Sequence, residues 1–258
     1  KEVANASVVP FTPIRTGFVE SGKDFGSYDY ELVRRPKVLA LAGEGVRSHN
    51  LGEIWHFFEE ELRYPIDLIE ASEISTVALE SYNVIVLTEG YYSIGESTME
   101  KINDWVSAGG RLVAIGSAIN KLSGKDGFEI ESKGTPEPDT SEKEPPVHHP
   151  EPYAGSDRRS MSDDIPGSIF QTTLDTTHPL CFGLGETYWT LKSTTSNYQW
   201  LEEGGNAIYL DDSPRYYGFV GYRALEKTKN TLIAGQEQIG GGSVVYFVDN
   251  PMFRSFWN

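Results

Sequence analysis

The feature that most constrains this chain is an alternation of short apolar runs with amphipathic helical segments over residues 37–116. "KVLALAG" (37–43) is a continuous apolar run closed by glycine, the pattern of a strand buried on both faces. "SHNLGEIWHFFEEELRY" (48–64) then places Leu51, Ile54, Trp55, Phe58 and Leu62 at helical spacing, with Ser48 or Asn50 available as a cap. "IDLIE" and "VIVLTEG" (84–90) read as the next two strands. "STMEKINDWVSAGG" (97–110) reads as a second helix ended by paired glycines, and "RLVAIG" (111–116) as a fourth strand. Strands separated by helices run parallel with right-handed crossovers, so the expected architecture is α/β: a doubly wound, mostly parallel sheet.

The rest of the chain reads differently. Residues 1–36 are Gly-punctuated and aperiodic, and are expected to be a linker lying along the domain surface. The domain itself is expected over 37–258. It is interrupted at about 121–165 by a long excursion rich in Pro, Gly, Glu and Asp. Beyond it, "GSIFQTTL", "TYWTLK", "NAIYLDD", "YYGFVGY", "TLIAGQEQ" and "SVVYFVD" (243–249) complete the sheet and add antiparallel strands in the C-terminal half.

Charge and cysteine usage narrow the function. Thirty-eight acidic against 22 basic residues give a net charge of −16, which argues against nucleic acid or an anionic membrane surface as partner. No apolar run approaches the roughly 20 residues a membrane span needs. A single cysteine, Cys181, excludes an internal disulfide and is assigned to packing. The opening "KEVANASVVPFTPIRTG" has neither an initiator Met nor a signal segment, and reads as a cut from a longer polypeptide.

In an open parallel sheet, ligands sit beyond the carboxyl ends of the strands. Three loops are expected there: Gly43–Gly45, Glu89–Tyr92 and Gly116–Ala118. The layout resembles the flavodoxin-like fold of the class I glutamine amidotransferases. That resemblance implies an oxyanion donor at Gly90, a nucleophile elbow at Ile115–Ile119, and a base with its orienting carboxylate after the last strand. The elbow reads Gly116-Ser117-Ala118, without the family's cysteine, and Asn250 and Met252 stand where His and Glu are expected around Pro251. An asparagine cannot take a proton from a serine. Gly90, Ser117, Asn250 and Met252 therefore read as a vestigial site, with no catalytic residue. Glu44, Glu89, Tyr91, Tyr92 and Ser117 are the candidates for binding a ligand such as a peptide or glycan.

Two rival chemistries are open to these residues. A serine hydrolase using Ser117 needs another base, and His178 in "DTTHPL" is the nearest in type. The pair His56 and Glu59 in "HFFE" matches a zinc-ligand spacing, but inside a Glu-rich amphipathic helix it is a solvent-side pair. His148 and His149 receive no function, and no metal or cofactor is assigned to this segment.

Longer stretches carry a more specific likeness. "RTGFVESGKDFGSYDYEL", "PKVLALAGEGVRSHNLGEIWHFFEEELRYPI", "SDRRSMSDDIPGSIFQTTLDTTHPLCFGLGETYWTLK" and "GGGSVVYFVDNPMFRSFW" resemble the amidotransferase-like domain that follows the peptidase domain in large bacterial zinc carboxypeptidases. The likeness implies a domain without its own chemistry. Its partner would be the peptidase domain of the same polypeptide, zinc would lie in that domain, and the setting would be periplasmic or extracellular. A free-standing peptide- or glycan-binding module is the further alternative.

Overall fold

The computed structural model describes residues 13–30, 35–134 and 153–255. Two units are distinguished, 1–35 and 36–258. In the first, residues 13–30 form turns held by the Phe25 N–H on the Gly17 carbonyl (2.8 Å), the Val19 N–H on Asp24 Oδ1 (2.8 Å) and a Lys23–Asp29 ion pair.

The second unit is built on one ten-stranded sheet. Its strands are β1 (Val38–Ala42), β2 (Asp67–Glu70), β3 (Val84–Leu87), β4 (Arg111–Ile115), β5 (Ser168–Leu174), β6 (Tyr188–Lys192), β7 (Gly205–Leu210), β8 (Tyr216–Gly218), β9 (Thr231–Ile239) and β10 (Gly242–Phe247). Their order is β2-β1-β3-β4-β10-β9-β7-β5-β6, with β8 on β5. The first five pair parallel, with β10 taking the fifth place of a flavodoxin order. The rest of the sheet, from β9 onward, is antiparallel. The sheet is thus mixed, with its parallel part as the sequence implies and its antiparallel part as large.

Helix α1 (Ser48–His56) and helix α2 (Glu96–Ser107) cover opposite faces. Side chains alternate along a strand, so Leu39, Leu41, Ile85, Leu87 and Leu112 meet Ile102, Trp105 and Val106 of α2. On the other face Val38, Ala40, Val86 and Ile115 meet Ile54 of α1. A second core, with Phe170, Ile208, Leu210 and Ile233, fills the antiparallel half.

Helix α1 is shorter than its periodicity suggests. It widens into a π-turn at Phe57–Glu61, where the Leu62 N–H reaches the Phe57 carbonyl (3.0 Å), and the chain leaves it through Arg63 at φ 49°. The two glycines after α2 do different work. Gly109 takes φ 117°, while a Cβ on Gly110 would come 2.4 Å from the Trp105 ring. The described flanks of the 121–165 excursion belong to the domain: Leu122, Phe128 and Ile130 are buried, and Ser156–Ser162 form helix α3. A last helix, α4 (Tyr222–Thr228), precedes β9.

Candidate functional site

The segments that follow β1, β3, β4, β6 and β10 surround a cleft of about 830 Å³. The first two loops are laced together. The Arg47 N–H donates to the Glu89 carbonyl (2.9 Å) and the Tyr91 N–H to the Gly45 carbonyl (2.6 Å). Their approach is so close that a Cβ on Gly90 would lie 2.4 Å from the Gly45 oxygen, so only glycine fits there.

The Gly90 N–H, the donor position implied by the amidotransferase resemblance, is already engaged. It donates to Ser117 Oγ at 3.2 Å. Ser117 follows Gly116, which takes φ +55° in the first turn after β4. Gly116 has a second requirement: a Cβ there would come 2.5 Å from Glu89 Cδ, because the Glu89 side chain folds across it. Glu89 is 9% exposed and lines the cleft. Its Oε1 accepts from Asn50 Nδ2 (2.8 Å), and the Ser117 N–H also bonds it. Burial raises the Glu89 carboxyl above the usual range; Arg47 opposes this, while Glu53 and Asp249 add to it.

On the opposite wall, Asn250 stands where a base is required. Its Nδ2 donates to Glu53 Oε2 (2.6 Å), and its Oδ1 accepts from the Met252 N–H (2.9 Å). Both ends of the amide are thus committed to shaping the turn after β10, and Met252 packs beside the α1-side core. Glu53 Oε1 accepts the Arg254 N–H (3.1 Å). Asp249, 5% exposed at its side chain, accepts from the Thr190 hydroxyl (2.9 Å) and pairs with Lys192 Nζ (3.6 Å). Lys192 is fully buried and also donates to the Ser196 carbonyl (2.9 Å). This pair ties β6 of the antiparallel half to the end of β10.

The sequence-derived candidates divide accordingly. Ser117, Asn250 and Glu89 line one cleft, with Gly90 directly behind Ser117. Tyr92 belongs instead to the core: its hydroxyl donates to the Thr88 carbonyl (2.7 Å), and burial raises its pKa. Tyr91 is 80% exposed outside the cleft lining, where its ring and hydroxyl hold Arg47. Glu44 is exposed, and its N–H donates to Glu70 Oε2 (3.3 Å).

His178 does not approach Ser117's cleft. Its Nδ1 accepts the Leu180 N–H (3.1 Å) and its ring lies against Gly205, so it is a turn cap. His56 lines the cleft while Glu59 lies in a separate depression beside Trp55, so the "HFFE" pair is split. Cys181 Sγ donates to the Ala207 carbonyl (3.3 Å), and burial pushes its thiol up. His148 and His149 lie outside the described residues.

Glu53 and Asp249 do not stand out in the sequence, and Asn50 reads there only as a candidate cap with Ser48; α1 in fact starts after Arg47 with no side-chain cap bond, and the Asn50 amide goes to Glu89 instead. The available signals were the i, i+3 spacing of Asn50 and Glu53 on one helix face, and an Asp-Asn pair directly after an apolar strand. Among the described residues no His/Cys/Asp/Glu group is placed to hold a metal ion, and no helix is long and apolar enough to cross a membrane.

No family model matches the sequence, and no curated protein matches it. Among solved structures, a ThuA-like protein from Parabacteroides merdae superposes with a TM-score of 0.51 at 13% identity, over 83% of this chain and 79% of that one. A glutamine amidotransferase from Thermotoga maritima gives 0.48 at 10% identity, over 84% and 76% of the two chains. A β-galactosidase from Bacillus circulans gives 0.47 at 14% identity, where 83% of this chain covers 28% of that one. The ThuA-like match speaks to the fold alone. With the strand order it supports, at a coarse level, a mixed α/β sheet like that protein's.

Proposed function

We propose that this chain is a non-catalytic accessory domain of a secreted zinc carboxypeptidase, in which an amidotransferase-like cleft holds a ligand without transforming it. The observation that carries the non-catalytic part is the state of the two groups acyl transfer would need. Ser117 Oγ occupies the Gly90 N–H, and the turn after β10 carries an asparagine, Asn250, whose amide bonds Glu53 and the Met252 N–H. A serine without a base keeps the reactivity of an alcohol, and an amide donor already satisfied is not free for an oxyanion.

The attachment to a peptidase rests on the four long sequence stretches that resemble that domain, as do the zinc in the neighbouring peptidase domain and the periplasmic or extracellular setting. In this reading the peptidase performs hydrolysis, and this domain stabilises it or presents substrate from the cleft.

The test is to produce the parent polypeptide with and without residues 1–258 and to measure kcat/KM on peptide substrates and the peptidase's thermal midpoint. A fall in either on deletion is the expected result, and an unchanged peptidase counts against the accessory role. Glutamine or ester hydrolysis by the chain alone, abolished by Ser117→Ala, overturns the non-catalytic reading.

A further inference from the structure

One face of the antiparallel half departs from the usual pattern. Along β5 and β6 the inward positions Phe170, Thr172, Thr190 and Lys192 are buried, as alternation requires. The outward positions of such a sheet are ordinarily polar. Here they form two rows across β8, β5 and β6. Tyr217, Ile169 and Leu191 make one row. Arg215, Gln171 and Trp189 make the other, where the Gln171 N–H reaches the Arg215 carbonyl (2.9 Å). Tyr217 is 63% exposed and Ile169 38%. The rings of Trp189 and Tyr217 lean together across β5, with centroids 5.6 Å apart and planes at 41°.

This apolar area is small and bounded. Thr173 and Ser193 continue the face beyond it, and β8 ends at Gly218, φ 111°. Three strands and two rows give a footprint of about 10 by 7 Å. That is far short of the roughly 800 Å² per partner that a stable protein interface buries, so neither a second copy nor another domain is its natural occupant. Leu191 also lines the cleft, which brings the face up to the cleft mouth.

We infer that this face is a stacking platform for a neutral saccharide, with a pyranose ring against Trp189 and Tyr217 and its hydroxyls on Gln171 and Arg215. A pyranose presents an apolar C–H face and a rim of hydroxyls that both donate and accept. The two aromatic rings match the first. The Gln171 amide, a donor and an acceptor, and the five-donor Arg215 guanidinium match the second. Arg215 is exposed and in no ion pair among the described residues. A nucleic acid base also stacks on aromatic rings, but its phosphates meet a chain of net charge −16. A proline-rich peptide docks in a groove between aromatic rings, and here the rings lean on each other and leave none.

The experiment is calorimetric titration of the 258-residue chain with cellotetraose, mannotetraose and chitotetraose, and with hexaproline as the peptide arm. At least one tetrasaccharide is expected to bind, and hexaproline is not. Tyr217→Ala, at an exposed position, is expected to weaken binding about tenfold, the size of one aromatic contact. Trp189→Phe keeps a ring and should retain most of the affinity, whereas Trp189→Ala should abolish it. Should Trp189→Ala fail to fold, Tyr217→Ala decides by itself. Raising the ionic strength from about 0.05 to about 0.5 M should leave the affinity unchanged, because the ligand is neutral. No tetrasaccharide binding, binding that Tyr217→Ala leaves intact, binding of hexaproline instead, or a dimer in light scattering that Tyr217→Asp dissolves overturns the inference. Those results leave the accessory reading in place, whereas Ser117-dependent hydrolysis overturns that reading and leaves the platform standing.

Discussion

Replacing Lys192 with methionine tests how the two halves of the sheet are joined at the cleft. The Lys192 side chain has no solvent exposure, and its Nζ balances Asp249, itself 5% exposed, at 3.6 Å. Lys192→Met keeps most of the aliphatic packing but leaves Asp249 with the Thr190 hydroxyl in place of a counter-ion. It also frees the Ser196 carbonyl, which accepts from Nζ at 2.9 Å. Breaking one partner of a buried pair costs about 3–5 kcal/mol, because the remaining charge is stranded in low dielectric. For a domain of this size that lowers the thermal midpoint by on the order of 10 °C. Adding Asp249→Asn removes the stranded charge and keeps an acceptor for Thr190, so the double variant should recover most of the loss. Urea unfolding at neutral pH reads the free-energy change and a temperature scan reads the midpoint, both followed by circular dichroism. A single variant within about 1 kcal/mol of wild type, or a double variant no more stable than the single, would refute the reasoning.

Three further outcomes follow from the same geometry. Burial raises the Glu89 carboxyl, so the folded state binds its proton more readily than the unfolded chain and stability falls as pH rises from the ordinary carboxylate range through the raised value. Glu89→Gln should flatten that part of the profile and raise the neutral-pH urea midpoint; an unchanged profile contradicts this. Gly116→Ala forces a side chain into φ +55° and against Glu89, and should cost about 2 kcal/mol or more in chemical denaturation. Ser117→Ala removes the acceptor of the half-buried Gly90 N–H and should cost about 1 kcal/mol, measured in the same way, with Ser117→Thr as the hydroxyl-retaining control.

The parallel half of the sheet was legible because each strand is a continuous apolar run closed by a turn residue, and such runs have few other places to go. The antiparallel segments were legible as strands, but their extent in the sheet was not. β10 lies beside β4 although more than a hundred residues separate them, and no local pattern encodes that pairing. The same distance hid half the cleft. Glu53 sits on α1 and Asn250 after β10, and their hydrogen bond exists only once the sheet is assembled. Tyr91 and Tyr92 are neighbours in one loop, yet the chain reverses there. One ring faces solvent, while the other is drawn into the core by the Thr88 carbonyl. Glu89 was legible as a cleft residue from its place after a strand end. Its burial was not, because that depends on Gly116 giving it room.

On the proposed reading, Ser117 serves as the hydrogen-bond acceptor of Gly90 and not as a nucleophile. Intact-mass analysis after incubation with a serine-reactive fluorophosphonate tests it most directly. The expected result is an unmodified chain. A stoichiometric adduct that disappears in Ser117→Ala would contradict the account.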